Sequence, residues 1–159
     1  MEHYSKLFKS FFYAFRGILY TIKTERNMRI HITCLVYMFS ILLLTDWFTL
    51  TRAEWAILVI ASGSVIASEI INTAIENAVN LASEEKTEYG KIAKDAAAGA
   101  VLIFAIFAVI TGIIILFQPP AFKAMFEYFC GNIPMLILFA LSIIPATLFI
   151  FFGFPHKKR

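Results

Sequence analysis

Residues 55–76 read WAILVIASGSVIASEIINTAIE. As a helix, the apolar run from Trp55 to Ile75 is long enough to cross about 30 Å of hydrocarbon, yet it turns polar near its end. Glu69, Asn72, Thr73 and Glu76 fall at i, i+3, i+4 and i+7, so all four project from one helical face. A carboxylate in an apolar span is costly unless paired, protonated or wetted, and such groups mark functional sites. The stretch therefore predicts an α-helical membrane protein and locates its chemistry.

On either side, further segments have spanning length: Ile30 to Trp47, Ala96 to Phe117 and Ile133 to Phe154. Brief connections join them, and Pro119, Pro120 and Gly131 break the stretch from Gln118 to Asn132. Ahead of the spans, Phe8, Phe11, Phe12, Phe15, Ile18, Leu19 and Ile22 recur at helical spacing, with Lys6, Lys9, Tyr13, Arg16, Tyr20 and Lys23 on the other face. This predicts an amphipathic helix on the membrane surface. It is no secretory signal, because Arg16 and Lys23 interrupt the apolar run and no small-residue cleavage site follows.

Only 16% of the 159 residues are charged and 60% are hydrophobic, against roughly 25% charged in soluble domains, which excludes a soluble globular protein. A net charge of +3 is too mild to argue for nucleic acid. Cys34 and Cys130 lie in different segments and form no redox or disulfide motif. With a cytoplasmic N-terminus, twelve of the 14 Lys and Arg fall inside and only Arg52 and Lys123 outside, a strong positive-inside bias. The same orientation returns the basic tail His156-Lys157-Lys158-Arg159 to the cytoplasm.

Burial is expected to raise the pKa of Glu69, which suits a general base taking a proton from an alcohol. Glu76 lies about two turns nearer the cytoplasm, within reach of water and a divalent cation, and Glu25 stands at the same membrane face. Two carboxylates from separate helices plus an amide oxygen suit Mg2+. Lys94, just before Asp95 and the run Ala96-Ala97-Ala98-Gly99-Ala100, can act as a point charge on phosphate, while the small residues let a neighbouring helix approach. Singly, Glu69 could hold another helix through its proton and Lys94 could be an ordinary helix-end lysine. Together they have the layout of phosphoryl transfer from ATP to a lipid hydroxyl.

The segment Glu69-Ile70-Ile71-Asn72-Thr73-Ala74-Ile75-Glu76 follows the pattern E-x-x-N-[ST]-A-I-E. With Ala93-Lys94-Asp95, Val101 and Glu25-x-Asn27-x-Arg29, it resembles the small integral-membrane prokaryotic lipid kinases, the family that includes bacterial diacylglycerol kinase and undecaprenol kinase. The likeness spans roughly residues 4–117. It implies a homotrimer of three-span subunits, each preceded by a surface helix, with composite sites where subunits meet. By position, Glu69 corresponds to the catalytic base, Glu25 and Glu76 to ligands of the Mg2+ that accompanies ATP, and Asn72, Lys94 and Asp95 to further catalytic and phosphate contacts. Lys6, Tyr13, Glu85, Lys86 and Thr87 fall at nucleotide-contacting positions, and Glu69 and Ala98 at lipid-contacting ones.

The resemblance also implies a kinase domain over residues 1–118, leaving 119–159 as an added fourth transmembrane helix with a basic cytoplasmic tail and no assigned role. No Arg-Pro pair or Pro-Ser-Gly-His occurs in that tail to suggest a phosphatase. His31, two residues after Arg29, stands where the diacylglycerol kinase subgroup has an acidic residue and looks more like the undecaprenol kinase subgroup. The expectation is an ATP- and Mg2+-dependent undecaprenol kinase of the bacterial cytoplasmic membrane, with diacylglycerol as the alternative lipid. A non-catalytic membrane scaffold is the rival from another class.

Overall fold

The computed structural model describes residues 2–82 and 87–154, folded as six α-helices. They are α1 (Glu2–Thr24), α2 (Arg26–Leu44), α3 (Arg52–Ala82), α4 (Glu88–Leu116), α5 (Pro119–Gly131) and α6 (Ile133–Phe152). Among the described residues there is no strand. Helices α2, α3, α4 and α6 are long and apolar enough to cross a membrane. The expected all-α membrane architecture, with a surface helix and four spanning helices, is therefore present.

α3 and α4 pack side by side as the central hairpin, α2 lies against α3, and α1 touches both α2 and α3. At the end remote from the polar stripe, Leu42, Leu58 and Ile115 form a buried cluster, with Trp55, Phe48 and Leu116 packed around it. Each apolar stripe falls on one helical face, so the cluster pins α2, α3 and α4 together where the chain turns.

The helices outrun the apolar segments. α3 has 31 residues and α4 has 29, so each is longer than the roughly 30 Å of hydrocarbon at 1.5 Å per residue. The connection between the second and third apolar segments is thus largely helix over its described residues, α3 running on to Ala82 and α4 starting at Glu88, and it carries the polar groups with it. Hydropathy marks where lipid ends, whereas backbone hydrogen bonding continues until a stop signal is met.

The other departure is α5. The stretch from Gln118 to Asn132 is a helix rather than a simple connection, because Pro119 and Pro120 occupy its first turn, where a fixed φ favours the helix and the missing N–H is not needed. Gln118 ties its start to the end of α4 and to the α2–α3 connection: Nε2 donates to the carbonyls of Thr49 and Ile115, and Oε1 accepts from the Thr49 amide. Trp47 rests on Tyr128 and Phe129 of α5 at centroid distances of 5.3 and 5.9 Å.

α6 buries none of its residues within the chain, as befits a helix whose solvent is lipid. It runs along α2, where the Tyr37 and Ser142 hydroxyls share a 2.8 Å hydrogen bond and the Tyr37 ring meets Phe139 edge-on. Between α2 and the α5–α6 hairpin lies an apolar groove of about 1130 Å³.

Candidate active site

Three helical stripes converge on a cavity of about 240 Å³: Asn27 and His31 of α2, Glu69 and Asn72 of α3, and Ala98, Val101 and Ala105 of α4. The spacings within each stripe are i+4, i+3 and i+3/i+7, so each set shares a face. The alanines keep α4 thin at this level and leave the space open.

Glu69 is 1% exposed, and its Oε1 has no hydrogen-bond partner among the described residues. The nearest basic group is His31, whose Nε2 stands 3.6 Å from that oxygen, beyond hydrogen-bond length and ionic only when the imidazole is protonated. One turn on, the Asn72 side chain donates from Nδ2 to Glu76 Oε1 at 3.0 Å. A carboxylate can only accept, so this bond fixes which way the amide faces. Asn72 Oδ1 is thereby left buried and unpartnered as well. Two unsatisfied acceptors side by side in an apolar helix bundle are expensive; a ligand carrying a hydroxyl or positive charge would satisfy them.

Glu25 is the single residue between α1 and α2, in extended conformation. Burial pushes its carboxyl above the usual range, and repulsion from Glu76 and Glu69 adds to this; the Thr24 hydroxyl and the Arg29 charge act the other way. Carboxylates from α3 and from the α1–α2 joint thus share one locale. Among the described residues no group of three His, Cys, Asp or Glu is gathered closely enough to hold a metal unaided. Glu25 and Glu76 supply mutually repelling carboxylates and Asn72 an unpartnered amide oxygen; oxygen donors of this kind suit Mg2+, which takes one or two carboxylates and leaves its remaining positions to waters and phosphates.

Lys94 is half-buried and donates from Nζ to Asn80 Oδ1 at 2.6 Å, which holds it to α3 one turn beyond Glu76. Asp95 is exposed at the same level of α4. Thr87 caps α4 by accepting from the Gly90 amide at 3.1 Å. Lys6 and Tyr13 are exposed on α1 and are not among the cavity-lining residues; lower on α1, Tyr20 donates to Asn77 at 3.4 Å. Glu85 and Lys86 lie outside the described residues. The chain thus gathers Glu69, Asn72, Glu76, Glu25 and Ala98, keeps Lys94 close by, and holds Lys6 and Tyr13 on a separate element.

Asn27 and His31 also line the cavity, which the polar stripe on α3 alone does not reveal. Their i, i+4 spacing at the start of α2 puts them on one face, but only the packing shows that this face meets α3.

Comparison with known proteins identifies the family. The family described as prokaryotic diacylglycerol kinase matches residues 12–116. The undecaprenol kinase of Bacillus subtilis (strain 168) is 40% identical over 113 residues, covering 70% of this chain and 88% of that protein. A diacylglycerol kinase of Synechocystis sp. is 40% identical over 114 residues, covering 71% of this chain and 63% of its own length. One from Helicobacter pylori (strain J99) is 31% identical over 104 residues, 65% of this chain and 79% of that one. No solved structure matches the chain significantly.

Proposed function

This chain belongs to the prokaryotic diacylglycerol kinase family and is a membrane lipid kinase, and on that premise we propose that it transfers the γ-phosphate of ATP, with Mg2+, to the hydroxyl of undecaprenol. The observation that carries the chemistry is the unpartnered Oε1 of Glu69, 1% exposed, in a cavity that opens among membrane-spanning helices.

Glu69 acts as the general base. Its Oε1 takes the proton of the lipid hydroxyl as that oxygen bonds to the γ-phosphorus and the bond to the β-phosphate oxygen breaks, giving ADP and a lipid phosphate. Asn72 orients the site through its bond to Glu76, with Oδ1 turned toward the reacting groups. Glu25, Glu76 and Asn72 Oδ1 would hold Mg2+, which when bound offsets charge on the phosphates. Lys94 adds a fixed positive charge one turn further out, with Asp95 beside it, while Lys6, Tyr13 and Thr87 contribute to nucleotide binding. Ala98 leaves room for the lipid chain next to Glu69.

The kinase unit is residues 1–118, and residues 119–159 form an appended span. The site and both termini lie on the cytoplasmic side of the inner membrane, where ATP is available, a reading supported by the charge bias. A homotrimer, in which a neighbouring subunit closes the open side of each cavity, completes the assembly; a trimer-sized band on cross-linking is its expected signature.

Undecaprenol is preferred because the matching undecaprenol kinase is covered over 88% of its length and because His31 faces Glu69. The Synechocystis relative, equally identical at 40%, supports diacylglycerol as the second reading. Labelled phosphate transfer from ATP to each lipid, side by side in micelles with Mg2+, decides between them. Glu69→Gln is expected to lower turnover by about 10²–10⁴-fold with folding retained. A fully active Glu69→Gln protein would instead favour the scaffold reading.

A further inference from the structure

Residues 119–152 lie beyond the stretch that matches the family, yet the end of α6 returns to the α1–α2 joint. Arg29 is only 6% exposed there. Its Nε donates to the carbonyl of Ile150, and its Nη1 donates to those of Ile22 and Lys23, all at 3.1 Å. The three carbonyls belong to the last turns of α6 and α1, which have no intrahelical donor left and carry the negative end of each helix dipole. A guanidinium is always charged and its donors lie in a fixed plane, so it serves both helix ends only while they keep a set distance and angle.

Gly153 completes the contact. Its φ of +58° and ψ of −146° are open essentially to glycine, and a Cβ there would come within 3.1 Å of Arg29 Cζ. Further along, the Tyr37–Ser142 hydrogen bond fixes the register of α6 on α2.

We propose that α6 is a clamp on the α1–α2 joint: by gripping Arg29 it sets the angle at which the surface helix leaves the membrane helices, and with it the position of Glu25 at the nucleotide end of the site. The identity of what is positioned rests on the lipid-kinase reading; the clamp does not. Arg29 does not line the cavity and is a positioning residue. Because Glu25 is the only residue between the two helices, any change in their angle moves it. With the clamp released, α1 samples several orientations and the binding-competent fraction falls. The apparent affinity for ATP–Mg2+ then drops in proportion, while the assembled complex turns over as before.

The test uses the full chain with Cys34 and Cys130 replaced by Ala and a nitroxide attached through Lys9→Cys on α1. Arg29→Lys, Gly153→Ala and the double variant are compared, with helicity checked by circular dichroism. Both single variants are expected to loosen the label's spectrum and to raise the half-saturating ATP–Mg2+ concentration about five-fold, the effect of leaving about a fifth of the molecules competent. Saturated turnover should stay within about two-fold, and the double variant should be no worse than the worse single one, since both break one device. Gly153→Ala, at the chain's far end, reports even where Arg29→Lys does not fold. An unchanged label spectrum overturns the clamp, and a loosened label with unchanged ATP half-saturation overturns its positioning role. A parent protein that transfers no phosphate overturns the kinase reading, and the label still judges the clamp.

Discussion

Glu25 and Asn72 show how single groups are held in a state that favours a ligand over the empty fold. Glu25 stands near Glu76 and Glu69, and its carboxyl is pushed up by burial and by those charges. A carboxyl raised in the folded state stabilises the fold below the unfolded pKa, and that contribution is lost as pH rises through the folded one. The metal-free protein is therefore expected to lose thermal stability from about pH 4.3 upward, whereas Glu25→Gln should lose less; melting curves across pH in a chelating buffer check this. Adding Mg2+ with nucleotide should return the difference to the parent protein and not to the variant. The stripe Glu69, Asn72, Glu76 was legible from spacing alone, because one helix sets it. The approach of His31 to Glu69 was not, because no periodicity says which faces of two helices meet. Arg29 was read only as part of a motif, since nothing in its neighbourhood announces a partner 121 residues away.

At the scale of elements, hydropathy identified every spanning helix but not the helix ends, because lipid contact and backbone hydrogen bonding stop at different places. α5 was missed for a related reason: Pro119-Pro120 ends one helix and equally begins the next. Its anchor is Gln118, whose side chain makes hydrogen bonds to both the N–H and C=O of Thr49. Gln118→Ala would leave these backbone groups and the Ile115 carbonyl seeking other partners. We expect a loss of about 1–3 kcal/mol in stability, measurable by denaturant or thermal unfolding in detergent, with phosphate transfer at saturating substrate little changed because α5 lies outside the cavity.

Across the whole molecule, the proposed orientation rests on the charge asymmetry between the two ends of the helices. With the N-terminus inside, Cys130 at the end of α5 faces outward and is exposed, whereas Cys34 lies within the span of α2. A membrane-impermeant maleimide should label Cys130 on intact cells after removal of any outer barrier, and a Cys130→Ala protein should take up little label. Labelling that requires permeabilisation would reverse the orientation and move the site away from cytoplasmic ATP.

The length of α3 also makes the protein a gauge of the bilayer. Trp55, at the remote end, is suited to the far interface, and Glu69 follows it by fourteen residues, or about 21 Å along the helix. In a core of about 30 Å this leaves the proposed base roughly 9 Å below the near surface. A thinner membrane brings the hydroxyl down to Glu69 and a thicker one lifts it away, so phosphate transfer in vesicles should fall as the host lipid's acyl chains lengthen past the matching thickness. On that expectation, membrane thickness would act on this enzyme as a rheostat, with no ligand needed to convey the setting.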